Sequence, residues 1–275
     1  MDFFCHRGYV WRMYQFIASP GNDPAPFQCL EGAADSSVLL VCDHASPLIP
    51  ACYDDLGLEA SIRQAHLAWD IGAAEVTRLL AKTLACDAVF AGISRLVIDC
   101  NRHPGDPSSI PSRTCEGVVP GNLALSEAEA EARANAWFWP YHQAIGTTLG
   151  RLFRRPIAPV MVSVHSFTPR MNGLHRPWDV GVLWNRDGRL ALPLIDFLRR
   201  MPSGLCVGDN QPYSGREINY TLDTHAGAAG LAHVAFEIRQ DLIADEAGCR
   251  RWAGILARAL IPLLADASLR RVQVF

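Results

Sequence analysis

The sequence lacks both an excess of positive charge and a long apolar run. Its 275 residues include 25 lysines and arginines against 28 aspartates and glutamates, which gives a formal net charge of −3. A chain without a global positive field is a poor partner for a polyanion, which argues against nucleic acid. The longest apolar candidate, residues 79–98, is interrupted by Lys82, Asp87 and Arg95, whereas a membrane span needs ~20 apolar residues. We therefore expect neither a nucleic-acid partner nor a membrane partner.

The sequence also lacks the C-x-x-C pattern that is typical of redox and structural metal sites. Its nine cysteines are odd in number, and Cys42, Cys86, Cys100 and Cys206 lie in or beside apolar runs. Cysteines in this setting are typical of small buried thiols in a reducing compartment. The amino terminus has no compact apolar region followed by a small-residue cleavage site. We therefore expect a cytoplasmic protein without a disulfide framework.

No internal repeat or low-complexity tract is present, and the composition is not that of a disordered chain. Hydrophobic residues make up 49% of the sequence, and a chain of this length can bury roughly three-quarters of its extended surface. Residues 1–36 show no clear periodicity and contain the turn-rich stretch SPGNDPAP. We predict an N-terminal extension over residues 1–36 and one domain over residues 37–275.

Apolar runs alternate with segments of helical periodicity along that domain. Strands are predicted at 37–44, 88–91, 95–100, 160–165, 180–185 and 234–238, and helices at 58–85, from Ser126 onward, at 190–200 and at 246–265. Ser126 is followed three residues later by Glu129, which is the pattern of a capping box. This alternation predicts an α/β three-layer sandwich with a mostly parallel central sheet. In such sheets, ligands bind outside the carboxyl ends of the strands.

Polar residues follow four of these apolar segments: His44, the pair Asn101 and Arg102, His165, and Glu237. Two histidines with a carboxylate could bind Zn²⁺, and a further carboxylate could accept a proton from water. An arginine at a strand end offers a planar fork for a substrate carboxylate. Other interpretations stay open at this point, because each histidine could be structural and Glu237 could be a solvated strand end. Asp99 could form an internal ion pair with Arg102.

Eight segments between about residues 38 and 245 resemble, in order, the N-formylglutamate amidohydrolase family. They are CDHASPLIP (42–50), LGL (56–58), HLAWDIGA (66–73), SRLVIDCNR (94–102), VPGN (119–122), HSFTP (165–169), VGDNQPYSG (207–215) and EIRQDLI (237–243). The elements HSF, NR and FEIR also look like parts of the zinc carboxypeptidases. The resemblance implies a fold like the zinc exopeptidases, of the phosphorylase/hydrolase-like type. It also implies a Zn²⁺-dependent hydrolase that frees an amino acid from a small anionic N-formyl or N-acyl amino acid.

Carried over by position, the resemblance implies that His44 and His165 bind the metal and that Glu237 is the general base. It also implies that Arg102 and Asn101 hold the carboxylate of the substrate. Residues 37–275 would then be the catalytic domain. A carboxypeptidase-like enzyme, another acyl-amino-acid deacylase, and a non-catalytic binding protein that has lost the metal are the alternatives.

The third metal ligand is the point at which the sequence departs from the carboxypeptidase pattern. Those enzymes carry a glutamate three residues after the first histidine, where this chain has Pro47. Our candidate is Asp70, with His66 as the second choice, because the two would share one face of the helix predicted at 58–85. The alternative is that His66 packs in the core and that Asp70 caps a neighbouring loop.

Three further residues are candidates for contact with the substrate. Arg95 could polarise the scissile carbonyl, or it could be a structural partner of Asp99. Tyr213 and Ser214 lie in a loop flanked by glycine and proline before Glu237, which suits a mobile lid that contacts the substrate. The sequence predicts no oligomeric state.

Overall fold

The structure, a computed structural model, describes residues 24–114 and 117–275. Its strands are β1 (Phe27–Leu30), β2 (Val38–Cys42), β3 (Asp87–Ala91), β4 (Arg113–Thr114), β5 (Gly117–Val118), β6 (Val160–Phe167), β7 (Arg170–Met171), β8 (Leu174–His175), β9 (Val180–Leu183), β10 (Val207–Asp209) and β11 (His233–Arg239). Its α-helices are α1 (Ala60–Arg63), α2 (Ala73–Leu84), α3 (Glu127–Arg133), α4 (Trp139–Leu152), α5 (Ala191–Arg199), α6 (Tyr220–Leu222) and α7 (Glu246–Leu264). Short 3₁₀ segments are Ala51–Gly57, Pro120–Asn122, Gln240–Leu242 and Ala267–Leu269, and π-helical turns are Ala134–Phe138 and Asp223–Gly227.

Seven of these strands form one sheet in the order β1-β3-β2-β6-β11-β9-β10. The four central strands β3, β2, β6 and β11 run parallel to one another. β1 pairs antiparallel with β3, and β9 pairs antiparallel with β11. β10 follows β9 in parallel. The carboxyl ends of β2, β6 and β11 therefore meet at one edge of the sheet.

Helices cover both faces of the sheet. Leu40 of β2 belongs to a buried cluster with residues of α2, α5 and α7, whereas Leu39 and Val41 face the opposite way, into a cluster with residues of α4. Because side chains alternate along a strand, a strand covered on both faces is apolar along its whole length. This arrangement explains why β2 reads VLLVC, with every residue buried. The prediction of a three-layer α/β sandwich with a mostly parallel sheet is confirmed.

Most of the predicted elements are present with shifts of one to three residues at their ends. The predicted capping box also forms, because the Ser126 hydroxyl accepts a hydrogen bond from the Glu129 backbone N–H while the Glu129 carboxylate accepts one from the Ser126 N–H. No helix of the described residues is long and apolar enough to cross a membrane. The cysteines that these residues contain are all free.

The predicted strand at 95–100 is wrong, because this segment forms a series of turns. Its N–H groups bond outside the sheet, from Arg95 to the Ala68 carbonyl at 3.1 Å and from Asp99 to the Ser109 carbonyl at 2.7 Å. Leu96, Val97 and Ile98 are buried, but in a separate apolar cluster that lies beside the sheet. The apolar run therefore reflects burial and not an extended backbone.

The predicted helix over 58–85 is also wrong as a continuous element, since only α1 and α2 are helical. Residues 64–72 form turns between them, and Gly72 has a φ of +81°. A Cβ added at Gly72 would lie 2.2 Å from the Ile243 carbonyl oxygen, so this position requires glycine. The predicted helical face shared by His66 and Asp70 consequently does not exist.

The segment before residue 37, predicted as an extension, contains strand β1. Four residues, Phe27–Leu30, pair with β3 at the edge of the sheet. The rest of the predicted extension, up to residue 23, lies outside the described residues.

Candidate active site

Three buried side chains come together at the carboxyl edge of the sheet: His44, Asp70 and His165. One donor atom of each lies within 4.8 Å of the other two. Asp70 Oδ2 is 3.3 Å from His44 Nδ1 and 2.9 Å from His165 Nδ1. All three side chains are at least nine-tenths buried. Two imidazole nitrogens and one carboxylate oxygen form a donor set that is typical of catalytic zinc sites.

The three residues reach this point by different routes. His44 lies two residues beyond the end of β2, and His165 lies near the end of the neighbouring parallel strand β6. Asp70 comes from the turns that precede α2, and its backbone N–H donates to the His44 carbonyl at 3.0 Å. The Ser166 N–H donates to Asp70 Oδ2 at 3.2 Å. A loop anchored by backbone hydrogen bonds, and not the predicted helix face, therefore places Asp70 beside the two histidines.

Each histidine uses its second ring nitrogen to contact another buried aspartate. His44 Nε2 is 2.7 Å from Asp99 Oδ1, and His165 Nε2 is 3.1 Å from Asp43 Oδ2. A carboxylate behind an imidazole fixes the ring orientation and raises its basicity as a metal ligand. Asp43 and Asp99 therefore have the position and chemistry of supporting carboxylates.

Asp43 is held by three hydroxyl groups besides His165. Tyr141 donates to its Oδ1 at 2.8 Å and Thr221 to the same atom at 2.6 Å, while the Ser163 hydroxyl lies 3.2 Å from Oδ2. Burial alone would raise the pKa of Asp43, but the hydrogen bond and charge of His165 hold it well below its ordinary value. Asp43 is therefore anionic at neutral pH.

The other charges of this cluster are also set by mutual contacts. Burial raises the pKa of Asp70, but the neighbouring His44 and His165 outweigh it and hold it well below its ordinary value. Burial likewise acts to lower the pKa of His165, but its hydrogen bonds to Asp43 and Asp70 raise it well above 6.5. The pKa of His44 is raised by Asp99 and Asp70, against burial and the charge of Arg95. The buried aspartates therefore favour the protonated form of both imidazoles.

Glu237 is a buried carboxylate with one unpartnered oxygen atom. It lies opposite His165 in the register of β11 and β6, and its side-chain oxygen Oε2 has no hydrogen-bond partner. Burial raises the pKa of Glu237 to about 7, against the opposing charge of His165. A carboxylate that binds and releases a proton near neutral pH is suited to general acid–base chemistry. The interpretation of Glu237 as a solvated strand end is wrong, because its side chain is buried.

A cavity of about 290 Å³ opens beside these residues. It is lined by all three candidate ligands, by Glu237, and by the sequence candidates Arg95, Asn101, Arg102 and Tyr213, as well as by His66. His66 lines the wall but is not part of the ligand cluster. Ser214 does not line the cavity, and its hydroxyl accepts a hydrogen bond from the Arg216 N–H at 3.2 Å.

The arginines of the site differ in their partners. Arg95 donates to Asp99 at 2.6 Å and lies 3.6 Å from Asp70, so the pairing with Asp99 considered from the sequence is present. Arg102 forms no ion pair with Asp99, to which it is joined only by a backbone hydrogen bond at 3.2 Å. Its guanidinium faces the cavity as an available cation. Asn101 is fixed beside it, because the Asn101 side-chain oxygen accepts from the Thr221 N–H at 3.0 Å.

Sequence reasoning missed Asp43, Ser163, Tyr141 and Thr221. Asp43 directly precedes His44, and the shared strand end was the one available signal for it. Tyr141 and Thr221 are 98 and 178 residues away from Asp43 along the chain, so no spacing pattern connects them.

The fold and the site together define a protein of the α/β sandwich class with a buried site suited to a metal ion. The model of the N-formylglutamate amidohydrolase family matches residues 36–244. The chain therefore belongs to this family and is an amidohydrolase, an enzyme that hydrolyses amide bonds.

Solved structures share the fold of this chain. A gene product of Agrobacterium tumefaciens is 38% identical, with 87% of this chain and 96% of that chain covered and a TM-score of 0.83. An N-formylglutamate amidohydrolase from Ralstonia eutropha JMP134 is 21% identical, with 89% and 98% covered and a TM-score of 0.61, and shares the fold. Among curated proteins, none is significantly similar to this chain.

Proposed function

We propose that this protein is a Zn²⁺-dependent amidohydrolase that cleaves an N-formyl or other short N-acyl amino acid to the free amino acid and a carboxylate. The observation that carries the proposal is the buried cluster of His44, Asp70 and His165 beside Glu237. Membership of the N-formylglutamate amidohydrolase family supports the substrate class.

The donor set fits a zinc ion. His44, Asp70 and His165 would hold the metal, with Asp99 and Asp43 supporting the two imidazoles from behind. Asp70 would thus take the role left open by Pro47. A Zn²⁺ ion held by these residues would supply a Lewis acid for the acyl carbonyl and would lower the pKa of water.

The protein side chains account for the remaining steps. Glu237 accepts a proton from the attacking water and returns it to the leaving amine nitrogen, since its carboxyl group titrates near neutral pH. Arg102, beside Asn101, binds the carboxylate of the amino acid through two parallel N–H groups of its guanidinium. Arg95, held in place by Asp99, stabilises the negative charge that develops on the carbonyl oxygen.

The test combines metal analysis with product detection. Purified protein should contain one zinc ion per chain and release formate from N-formylglutamate. Chelation should abolish the activity, and added Zn²⁺ should restore it. Hydrolysis that persists after complete metal removal would contradict the proposal. A panel with N-acetyl amino acids and peptides separates deformylation from general deacylation and from carboxypeptidase activity.

A second test of the proposal uses Arg102. Arg102→Met should raise KM for N-formylglutamate by roughly tenfold to a hundredfold, because a charge-assisted pair is lost. Zinc content should be unchanged, since Arg102 does not contact the ligand cluster. A variant with an unaltered KM would show that the carboxylate binds elsewhere.

A further inference from the structure

A second cavity, of about 360 Å³, lies at the amino end of β11. His233, the first residue of that strand, lines it, whereas Glu237 lines the cavity of the candidate active site. The two residues are separated along the strand by about 13 Å. The register of β9 and β11, extended by two residues, places Asn185 beside His233. The second cavity is therefore at the opposite edge of the sheet from the candidate active site.

His233 brings a buried imidazole with one unused nitrogen to this cavity. Its side chain is 2% exposed, and its Nδ1 lies 2.7 Å from the Leu231 carbonyl oxygen. A carbonyl oxygen can only accept, so Nδ1 carries the proton and Nε2 of the neutral ring is an acceptor. Within the described part of the chain, Nε2 has no hydrogen-bond partner. Because buried polar atoms are nearly always paired, this nitrogen is suited to accept a hydrogen bond from a ligand.

Asp223 supplies a negative charge to the same cavity. Its carboxylate accepts a hydrogen bond from the Asn185 side chain at 3.2 Å, but it forms no ion pair with any residue in 24–114 or 117–275. Burial raises the pKa of Asp223 above its ordinary value, against the hydrogen bond from Asn185. A partly buried carboxylate without a counter-charge is stabilised by a bound cation. Asp187, in contrast, is already neutralised by Arg189 at 2.7 Å.

Gly227 leaves an open space between these two acceptors. A Cβ added at Gly227 would lie 3.7 Å from His233 Cε1 and 3.8 Å from Asp223 Oδ1. The imidazole and the carboxylate therefore flank one small space. Two acceptors around one space, one of them charged, are the complement of an ammonium group.

Arg186 supplies a positive charge at the rim of the cavity. It is exposed and lines the cavity, and its guanidinium forms neither an ion pair nor a hydrogen bond with any described residue. Arg186 and Asp223 thus carry opposite charges on the wall of one cavity without pairing with each other. Leu231, Val274 and Phe275 provide apolar surface on the same wall.

These charges exclude other classes of ligand. A metal ion would need at least three donors, and among the described residues only His44, Asp70 and His165 form such a group. The charge of Arg186 disfavours a diamine, and the charge of Asp223 disfavours a dicarboxylate. A ligand with one ammonium group and one carboxylate satisfies both charges.

We propose that this second cavity binds a free amino acid with an apolar side chain, as its zwitterion. The ammonium group donates to Asp223 and to His233 Nε2, and the carboxylate accepts from Arg186. The apolar wall covers the side chain of the ligand. This site does not depend on the proposed function, so its test requires no turnover.

The experiment is calorimetric titration of the metal-free protein with L-leucine and with two analogues that each lack one charge. The analogue 4-methylpentanoate has no ammonium group, and 3-methylbutylamine has no carboxylate. L-Leucine should bind, and each analogue should bind about tenfold more weakly or worse, because one charge-assisted contact is lost. Binding of either analogue as tight as that of L-leucine would overturn the proposal.

Three variants connect the binding to this cavity. Arg186→Met and Asp223→Asn should each weaken L-leucine binding by about tenfold. Gly227→Ala should weaken it similarly by filling the space between the two acceptors, but it should not lower the melting temperature, because alanine is favoured over glycine in a helical turn. The matched control is Arg154→Met, which removes an exposed arginine that follows α4 and does not line the cavity, and it should bind as the wild type does.

Two further outcomes would overturn the proposal. One is the absence of any binding of L-leucine at millimolar concentration. The other is binding that persists in all three variants but is lost in Arg102→Met, because this result would place the amino acid in the cavity of the candidate active site.

Discussion

Replacing Glu237 by glutamine should abolish hydrolysis and at the same time stabilise the fold. Glu237 has a buried oxygen without a hydrogen-bond partner, and burial raises its pKa from 4.5 to about 7. In the unfolded chain the carboxylate ionises freely above pH 4.5. The folded state holds the proton more tightly, so ionisation at neutral pH works against folding.

The size of this effect follows from the two pKa values. A difference of this size corresponds to about 3 kcal/mol of lost stability at pH 7 and about 1 kcal/mol at pH 5. Below the unfolded pKa of 4.5 the penalty is absent, because both states are protonated. Glu237→Gln removes the ionisation, so its gain should be near 3 kcal/mol at pH 7 and should shrink as the pH falls.

The assay is urea unfolding of the metal-free protein at pH 7 and at pH 5, paired with formate release by the zinc-loaded enzyme. Activity of Glu237→Gln should fall by roughly a hundredfold or more, since proton transfer by a positioned group contributes 10²–10⁴-fold. The control is Glu131→Gln on the exposed face of α3, which should change stability by less than about 0.5 kcal/mol. A destabilised Glu237→Gln protein, or one with full activity, would refute the reasoning.

Three further substitutions test other parts of the fold. Burial lowers the pKa of His142 to about 4, so protonation of this side chain opposes folding between pH 6.5 and 4. In urea titrations, His142→Gln should therefore lose about 2 kcal/mol less stability than the wild type between pH 7 and pH 5. Equal losses in the two proteins would contradict this reasoning. Arg133→Met removes buried hydrogen bonds to the Val97 and Gly121 carbonyls. It should lower the free energy of unfolding in urea by about 3 kcal/mol. A decrease below about 1 kcal/mol would show that these carbonyls find other donors. Gly72→Ala should lower both the melting temperature and the zinc content, because it disturbs the turn that carries Asp70, and unchanged zinc binding would argue against that dependence.

The sequence predicts the elements of the sheet well, because strands covered on both faces must be apolar throughout. It also brings His44, His165 and Glu237 to one edge, since parallel strands end on the same side. The prediction of a strand at 95–100 fails for a related reason. A short apolar run reports burial but not backbone conformation, and here the burial is in a separate cluster beside the sheet.

The position of Asp70 beside the two histidines was predicted, but for a reason that the structure contradicts. The helical spacing from His66 does not operate, because residues 64–72 form turns and not a helix. Asp43 has only its place beside His44 as a sequence signal, and its partners Tyr141 and Thr221 have none. Their roles depend on partners that meet only after the sheet and its loops have formed.

The contacts of Asp43 separate the candidate metal-ligand cluster from the lining of the cavity. Tyr141 belongs to α4, on one face of the sheet, and does not line the cavity. Its hydroxyl nevertheless bonds the same carboxylate that supports His165. A change at Tyr141, such as loss of that hydroxyl, therefore makes Asp43 a stronger acceptor for His165 without altering any surface that a substrate meets. The candidate ligand cluster and the lining of the cavity can consequently vary independently among proteins that retain this scaffold.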